Sequence, residues 1–309
     1  MAYQHPAPPP YGLPPQQPPV PYGPQYGYAT AYPHPRPPDP PELPDGASPW
    51  PKWPWWYGIV AGLSGFVVAF FGAGVVAVVV ALFGGDTDGG AFNQIATVVF
   101  DVCLVAAAVF FASRTVRPRL WHFGLRRTKF WSTLGWAALG MASFWVFAIA
   151  YSAAVRPKGE QETLDTLGVD KSTIALIGAA MLVIMVAPLA EELFFRAFFY
   201  RALRSRLPIW GAALIDGCLF GAIHYENPDT LPILPILGML GVIFCLVYER
   251  TGNIFATIGL HAFNNTLAFG GGTDHWATAG IVGGTALVLC MTVPRLLPAG
   301  APALRPARA

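Results

Sequence analysis

Eight long apolar segments dominate the chain from residue 57 onwards and constrain its fold more than any other feature. Each is close to the length of about 20 residues with which an α-helix crosses the hydrocarbon core of a bilayer. None alternates apolar and polar residues with a period of two, which favours helices over a transmembrane barrel. The segments cover residues 57–84, 92–113, 131–155, 173–195, 209–225, 231–248, 253–270 and 278–297. We therefore expect an all-α, polytopic transmembrane helical bundle of about eight spans.

The composition supports a membrane protein, because 54% of the residues are hydrophobic and only 12% are charged. The bilayer is therefore the first expected partner. The net charge of +2 forms no basic face with interleaved aromatic residues, so we expect no nucleic-acid partner. The cysteines lie within apolar segments and form no Cys-x-x-Cys pair, which predicts small apolar packing residues rather than disulfides or a zinc cluster. They are Cys103, Cys218, Cys245 and Cys290.

The N-terminal region, residues 1–53, is rich in Pro, Tyr, Gly and Gln and has almost no aliphatic residues from which to build a core. It is predicted to be a disordered cytoplasmic tail. The alternative is a polyproline II strip that docks a partner protein. The transmembrane domain is expected over residues 54–298, and a short basic C-terminal tail over 299–309. Four tryptophans are predicted to form an aromatic belt at the membrane interface: Trp50, Trp53, Trp55 and Trp56.

The orientation follows from a basic connection after the second apolar segment, which should stay in the cytoplasm. Its basic residues are Arg114, Arg117, Arg119, Arg126, Arg127 and Lys129. An even number of spans then places both termini on the cytoplasmic side. The Gly-, Ala- and Pro-rich usage is typical of a bacterium with a GC-rich genome, so we expect a multi-pass protein of a bacterial plasma membrane.

Two adjacent carboxylates and a guanidinium, Glu191, Glu192 and Arg196, interrupt the fourth apolar segment. A charge at bilayer depth costs on the order of 3 kcal/mol, so such groups usually face a protein interior or a cavity and mark a site. Glu192 and Arg196 share a helix face, whereas Glu191 points about 100° away. We predict that Arg196 neutralises Glu192, which leaves Glu191 as the general base that activates water. The alternative is a set of helix-end charges at the cytoplasmic interface.

Two later apolar segments each contain an imidazole, in Phe-Gly-Ala-Ile-His224 and in His261-Ala-Phe-Asn-Asn265. A single helical histidine is usually a structural hydrogen-bonding residue. A glutamate, two histidines and an asparagine on three spans of one bundle can, however, hold a water or a metal and support an oxyanion. The combination predicts a buried hydrolytic centre.

The pattern Glu-Glu-x-x-x-Arg, then Phe-x-x-x-His, then His-x-x-x-Asn, each in its own apolar helix, resembles the CPBP intramembrane proteases. That family includes the Rce1-type CAAX prenyl endopeptidases and Abi-related bacterial proteins. The resemblance covers about residues 115–270, including a Phe-Gly-Leu-Arg-Arg stretch at Phe123 to Arg127. It implies an all-helical polytopic fold, hydrolysis of a peptide bond within the membrane, and a peptide or protein substrate that is membrane-associated, prenylated or secreted. The implied active-site set is Glu191, Glu192, Arg196, His224, His261 and Asn265.

The expected mechanism has Glu191 and His224 orient and deprotonate a water, while His261 and Asn265 stabilise the oxyanion. Glu191, His224 and His261 could instead supply a catalytic Zn²⁺ site with one open position. The family is usually classed as metal-dependent, which slightly favours zinc. A metal-free glutamate mechanism fits the sequence equally well, because no His-Glu-x-x-His helix is present.

The depths of Glu191 and His224 in the bilayer must match if both act at one centre. Helices that end where the apolar segments end would place the two residues at different depths. Either the fourth helix continues through Tyr200, or the fifth begins late after Leu207-Pro208. Asp101 and Asp216 could be proton-relay groups, but hydrogen bonds to neighbouring helices are the simpler expectation, and both stay outside the predicted site.

Two other functions are compatible with the sequence. A proton-coupled transporter would use the same titratable groups as a relay across the bilayer, although no internal repeat is visible. A non-catalytic member of the same fold would serve as a bacteriocin-immunity protein or a scaffold.

Overall fold

A computed structural model of the protein describes residues 51–87, 89–157 and 163–297, all within one compact unit. The tail predicted over residues 1–53 lies almost wholly outside the described residues. The partner strip proposed for that tail, the position of Trp50 and the tail predicted over 299–309 also lie outside them.

The described residues form eight long helices and contain no β-strand, which confirms the predicted all-helical fold. Each predicted apolar segment corresponds to one helix. Six helices are long and apolar enough to cross a membrane, namely α1 to α4, α6 and α8, whereas α5 is shorter. The helices are α1 Trp55–Leu82, α2 Gly90–Ser113, α3 Phe130–Val155, α4 Thr173–Arg204, α5 Ile209–Ala222, α6 Leu234–Thr251, α7 Ile254–Thr273 and α8 Trp276–Leu296.

The central helix α4 runs on through Tyr200 to Arg204, well past the end of its apolar segment. A turn follows, and α5 begins at Ile209, directly after Pro208. At 1.5 Å per residue, Glu191 therefore lies about 20 Å from the end of α4, and His224 about 22 Å from the start of α5. The two residues are therefore about level. Both sequence-based solutions to the depth problem are confirmed, because α4 continues past Tyr200 and α5 begins after Leu207-Pro208.

Two wide π-helical stretches interrupt the α-helical geometry of α4, at Leu182–Val186 and Leu193–Tyr200. The first lies just before Pro188, whose ring clashes with the carbonyl four residues earlier in a regular α-helix and which has no N–H to donate. A wider turn relieves that clash, and π-helical turns are frequent at functional sites. The second stretch carries five buried aromatic rings into the core of the bundle: Phe194, Phe195, Phe198, Phe199 and Tyr200.

The tryptophans near the start of α1 differ in their surroundings. Trp55 and Trp56 are each 45% exposed, as an interfacial belt requires. Trp53 is fully buried, with its ring 5.4 Å from that of Phe123 and 5.1 Å from that of Phe198. The belt prediction is therefore wrong for Trp53, because this residue precedes the helix and packs into the protein core.

The Phe-Gly-Leu-Arg-Arg stretch docks on the turn between α6 and α7. The carbonyl of Gly124 accepts a hydrogen bond from the N–H of Ile254 at 3.1 Å. The Nε of Arg126 donates to the carbonyl of Gly252 at 2.7 Å. The connection between α2 and α3 is thereby tied to the base of α7, the helix that carries His261.

Candidate active site

The two adjacent carboxylates on α4 have different partners, as the sequence predicted. Glu192 Oε1 accepts a hydrogen bond from Arg196 Nη1 at 2.9 Å, and both side chains are fully buried. Glu191 points elsewhere and keeps 14% of its side chain exposed. Its Oε2 atom is buried and has no hydrogen-bond partner among the described residues. The pairing of Glu192 with Arg196 is confirmed, and Glu191 remains the carboxylate without a cationic anchor of its own on α4.

The imidazole of His261, on α7, bridges the two glutamates. Its Nδ1 lies 3.0 Å from Glu192 Oε1, and its Nε2 lies 3.9 Å from Glu191 Oε2. A carboxylate bound to arginine can only accept hydrogen bonds, so the proton of this pair belongs on Nδ1 of His261. Glu192 therefore fixes both the tautomer and the ring orientation of His261, and it directs Nε2 towards Glu191.

The guanidinium of Arg196 is enclosed by aromatic rings. It lies 4.2 Å from the ring centre of Phe220, 5.2 Å from that of Phe244 and 5.6 Å from that of Phe195. Cation–π contacts of this kind stabilise a desolvated charge by roughly 2 kcal/mol. The cage explains how a guanidinium can persist in so apolar an environment.

A second carboxylate reaches Arg196 from α5, a contact that sequence reasoning did not predict. Asp216 is fully buried, and its Oδ1 lies 3.7 Å from Arg196 Nε. The thiol of Cys245, on α6, donates to the same oxygen at 3.0 Å. The expectation that Asp216 hydrogen-bonds a neighbouring helix is confirmed. Cys245 does more than pack as a small apolar residue, because it is also a hydrogen-bond donor.

Glycines bring α5 and α6 close enough for this contact. A Cβ atom on Gly217 would lie 2.6 Å from the carbonyl oxygen of Gly238, and one on Gly221 would lie 2.8 Å from the nitrogen of Gly238. The two helices therefore touch backbone to backbone along a Gly-x-x-x-Gly face, as small residues permit in membranes. That spacing in the sequence is the signal that could have indicated the α5–α6 contact.

His224 follows the last turn of α5, and it is half-buried. Its Nδ1 lies 2.7 Å from the carbonyl oxygen of Phe220, which orients the ring. Phe220 contacts both imidazoles, because its ring centre lies 5.0 Å from that of His224 and 5.7 Å from that of His261. Phe220 therefore packs against both His224 and His261, the imidazole that bridges the two glutamates.

Asn265 lies one turn beyond His261, and its Nδ2 donates to the carbonyl of Val183 at 2.9 Å. That carbonyl lacks a helical partner for a local reason. The N–H of Ala187, its partner in an α-helix, bonds the carbonyl of Leu182 instead. The next residue is Pro188, which has no N–H. The amide nitrogen of Asn265 carries two protons, so one remains for a ligand.

The comparison with known families supports the resemblance seen in the motifs. Residues 173–267 match the sequence model of the family described as Type II CAAX prenyl endopeptidase Rce1-like. The match covers about a third of the chain and shows that this segment is similar to the Rce1-like family. It contains all six predicted active-site residues. It is shorter than the expected 115–270, so the Phe-Gly-Leu-Arg-Arg stretch lies outside the match. At the level of the family, the match indicates a membrane protease of the CAAX type.

Three curated bacterial proteins are similar to parts of the chain. "Uncharacterized protein YyaK" of Bacillus subtilis (strain 168) is 35% identical over 98 residues, which are 30% of this chain and 32% of the relative. "Putative membrane peptidase YdiL" of the same organism is 30% identical over 82 residues, 26% of this chain and 32% of the relative. "Uncharacterized 24.3 kDa protein" of Escherichia coli is 31% identical over 100 residues, 32% of this chain and 46% of the relative.

The chain therefore spans from about a third to just under half of the length of these relatives. No solved structure is significantly similar to the chain.

One further buried acid, Asp101, lies on α2 and outside the matched segment. It is 3% exposed, and it lies close enough to Glu191 for the two side chains to interact electrostatically. Its Oδ2 is buried without a hydrogen-bond partner in the part of the chain that the structure describes. The sequence-based prediction places Asp101 outside the site, and the only sequence signal for a role of this residue is its position within an apolar segment.

The fit of the centre to a metal can be judged from its side chains. Within residues 51–87, 89–157 and 163–297, no three His, Cys, Asp or Glu side chains are grouped as metal ligands require. Glu191, His224 and His261 therefore do not form a ready zinc site. Both Nδ1 atoms are already engaged, that of His261 on Glu192 and that of His224 on the carbonyl of Phe220.

Proposed function

We propose that this chain is an intramembrane endopeptidase that hydrolyses a peptide bond of a membrane-associated substrate, with Glu191 as the general base. The observation that best supports this proposal is that the two adjacent carboxylates differ in their hydrogen-bond partners. Glu192 is locked by Arg196 and His261, whereas the Oε2 of Glu191 is buried without a hydrogen-bond donor among the described residues. A desolvated carboxylate that lacks a donor is well suited to accept a proton from water.

In the proposed reaction, Glu191 takes a proton from a water that His224 helps to orient, and the water oxygen attacks the scissile carbonyl carbon. The carbonyl oxygen becomes an oxyanion, which the second amide proton of Asn265 and the imidazole of His261 stabilise. Glu192 keeps its contact with Nδ1 of His261 and so holds the ring in place during this step. Collapse of the intermediate breaks the C–N bond, and Glu191 returns its proton to the leaving amine.

The substrate class is proposed from the membrane setting and from the family. The described residues contain six candidate membrane spans, and residues 173–267 match a family described as Type II CAAX prenyl endopeptidase Rce1-like. A peptide held at the bilayer by a prenyl group, or a secreted or membrane-anchored peptide, could reach Glu191 from the membrane. We propose a bacterial plasma membrane as the location, because the similar curated proteins are bacterial.

A zinc ion remains the alternative source of the nucleophile. Zinc bound by Glu191, His224 and His261 would lower the pKa of a bound water and polarise the scissile carbonyl. This set would require His224 and His261 to coordinate through Nε2 while their Nδ1 atoms keep their present partners. No step of the proposed mechanism passes through a metal.

Cleavage of fluorogenic peptides tethered to lipid nanodiscs tests the proposal, one set carrying a farnesylated C-terminal cysteine and another a transmembrane anchor. The Glu191→Gln variant should lose about 10²- to 10⁴-fold in kcat. Asp170→Asn, the same chemical change in the loop before α4, should keep wild-type activity. Unchanged cleavage by Glu191→Gln would show that Glu191 is not the base.

Metal analysis of the purified wild-type protein and of the His224→Ala/His261→Ala variant separates the two mechanisms. Activity without bound metal, abolished by these substitutions, supports the glutamate mechanism. Stoichiometric zinc that is lost in the variant together with activity would establish a metallopeptidase. No cleavage of any tethered peptide would contradict the proposed peptidase and favour the transport or binding functions.

A further inference from the structure

Asp216 and Cys245 form a buried pair that lies outside the three sequence motifs and has no place in the mechanism above. Both side chains are fully buried, Asp216 on α5 and Cys245 on α6. The thiol donates to Asp216 Oδ1 at 3.0 Å, and the same oxygen lies 3.7 Å from Arg196 Nε. A buried carboxylate is costly unless it is paired, so its retention here calls for a specific role.

The pair begins a continuous series of polar contacts that runs through Arg196 and Glu192 to His261. Arg196 donates a hydrogen bond to Glu192 through Nη1, and its Nε faces Asp216 in an ion contact at 3.7 Å that is too long for a hydrogen bond. The guanidinium therefore lies between two carboxylates. Glu192 Oε1 in turn faces Nδ1 of His261 at 3.0 Å. The aromatic rings of Phe220 and Phe244 lie close to both Arg196 and His261 and limit how far either can move.

Removal of the Asp216 charge would change this arrangement in a definite direction. Arginine binds carboxylates best through two parallel N–H groups. While Asp216 lies beside Nε, Arg196 meets Glu192 through Nη1 alone. Without the charge of Asp216, Arg196 can turn a second N–H towards Glu192, which draws the Glu192 carboxylate away from His261. The Nδ1 proton of His261 would then lose its acceptor, and the orientation of the ring would no longer be fixed.

We infer that Asp216 is a positioning residue of the catalytic centre: it anchors Arg196 so that Glu192 stays on Nδ1 of His261. The consequence for catalysis rests on the proposed function, whereas the positioning itself does not. Cys245 supports Asp216 from the opposite helix, because its S–H supplies a hydrogen bond to the oxygen that faces Arg196. The Gly-x-x-x-Gly contact between α5 and α6 keeps the two residues within bonding distance.

The positioning is tested by NMR of the full-length protein in lipid nanodiscs, labelled with ¹⁵N-histidine. An imidazole Nδ1–H bound to a carboxylate gives a low-field proton signal, which is assigned to His261 by its loss in His261→Gln. We expect Asp216→Asn to shift or abolish this signal. Cys245→Ala should shift it less, and Cys245→Ser should restore it, because serine keeps a donor. If Asp216→Asn does not fold, the difference in the His261 signal between Cys245→Ala and Cys245→Ser tests the inference instead.

A matched control is available in Glu249→Gln, which also neutralises a buried acid with arginine partners. Glu249 lies on α6 and accepts hydrogen bonds from Arg201, Arg204 and Tyr200 at 3.0 Å each. None of these partners belongs to the series of polar contacts from Asp216 to His261. This variant should unfold at a lower temperature but leave the His261 signal in place. The inference is overturned if folded Asp216→Asn keeps the wild-type signal, if Glu249→Gln moves it equally, or if the wild type shows no such signal.

Kinetics on the tethered peptides give the catalytic consequence. Displacement of a catalytic group by about 1 Å can cost about 10²-fold, so kcat of Asp216→Asn should fall roughly 10- to 100-fold while KM changes less than about twofold. In a Glu192→Gln background the same substitution should have no further effect, because Asp216 acts through Glu192. Independent, additive losses would overturn the inference. A wild-type protein that cleaves no peptide but shows the Asp216-dependent signal would refute the proposed function and leave the positioning intact.

Discussion

At the scale of single residues, the division of roles between Glu191 and Glu192 follows from helix geometry. Neighbouring residues on a helix point about 100° apart, so only one of two adjacent carboxylates can face an arginine one turn later. Glu192 has that position and is bonded to both Arg196 and His261. Glu191 is directed to the other side of His261. The same geometry that neutralises one acid keeps the other available for chemistry.

Gly124 is a residue whose replacement should destabilise the protein without touching the site. Its φ of +73° is left-handed, which costs roughly 1–2 kcal/mol for a residue with a Cβ. A Cβ there would also lie 2.6 Å from Cε2 of Tyr248, and overpacking adds roughly 1–3 kcal/mol. Gly124→Ala should therefore lower the free energy of unfolding by about 2–5 kcal/mol, measured by denaturation in detergent.

Gly135→Ala is the matched control for this prediction. Gly135 lies within α3, where a Cβ would meet no atom within 4 Å. Alanine in a helix interior is favoured over glycine by roughly 0.5–1 kcal/mol, so this variant should be slightly more stable than the wild type. A Gly124→Ala variant as stable as Gly135→Ala would contradict the docking of this stretch on Tyr248.

His122 should make the stability of the protein depend on pH. It lies in the short turn Leu120–Phe123, outside the membrane-spanning helices. Burial, and secondly the charge of Arg119, lower the pKa of His122 from 6.5 to about 4. The folded state thus keeps His122 neutral where the unfolded chain would bind a proton. Its contribution is complete above pH 6.5 and is lost as the pH falls to about 4, a change on the order of 2–3 kcal/mol.

The free energy of unfolding of the wild type and of His122→Gln, measured between pH 7 and pH 4, tests this dependence. Glutamine can still accept the hydrogen bond that the N–H of Arg119 donates to Nδ1 of His122. The variant should lose most of the slope in this window, whereas His275→Gln, at an exposed turn, should keep it. An equal slope in wild type and His122→Gln would refute the prediction.

At the scale of elements, α4 combines a proline, a π-helical turn and an amide from another helix into one local arrangement. The turn at Leu182–Val186 accommodates Pro188 and leaves the carbonyl of Val183 without a helical donor. Asn265, from α7, supplies that donor. An irregularity in one helix thus fixes the position of a candidate oxyanion donor on another.

Substitution of Pro188 should separate stability from activity. Pro188→Ala provides a new N–H five residues after Val183, which competes with Asn265 for the Val183 carbonyl. The helix should be at least as stable as in the wild type, because alanine favours helix interiors. The amide of Asn265 should lose its fixed orientation, so kcat should fall about 10-fold or more. Thermal unfolding and cleavage of the tethered peptides measure the two effects.

Pro235→Ala is the control, because Pro235 lies in the first turn of α6, where its missing N–H is not needed. Both the unfolding temperature and kcat should stay close to the wild-type values. A Pro188→Ala variant with unchanged kcat would show that the wide turn does not position Asn265.

At the scale of the whole molecule, the sequence predicted the elements well and the contacts between them only in part. Apolar length predicted all eight helices, and i, i+4 spacing predicted the pairing of Glu192 with Arg196. The burial of Trp53 depends on Phe123 and Phe198, which are distant in sequence. The contact between Asp216 and Arg196 likewise depends on how α5 packs against its neighbours. Such contacts depend on the tertiary fold, which local patterns do not encode.

The connections between helices form two groups that lie at opposite ends of the bundle, and connections of one group contact each other. At one end, the stretch around Arg126 bonds Gly252, and Glu249 bonds Arg204. At the other end, Thr163 bonds Glu226, and Asn93 bonds the carbonyl of Thr166. The first group contains the basic connection, so the positive-inside rule assigns it to the cytoplasm.

Cysteine labelling tests this orientation. In a Cys218→Ala background, which removes the exposed native thiol, Arg127→Cys should react with a membrane-impermeant maleimide only after the cells are permeabilised. Asp170→Cys, before α4 at the opposite end, should react in intact cells. The eight-span threading expected from the sequence places the start of α1 and the end of α8 on the side of Arg127, so both chain termini should be cytoplasmic. Reaction of Arg127→Cys in intact cells would reverse the orientation and would place the buried arginines of α4 on the outer side of the membrane, against the charge bias that the rule describes.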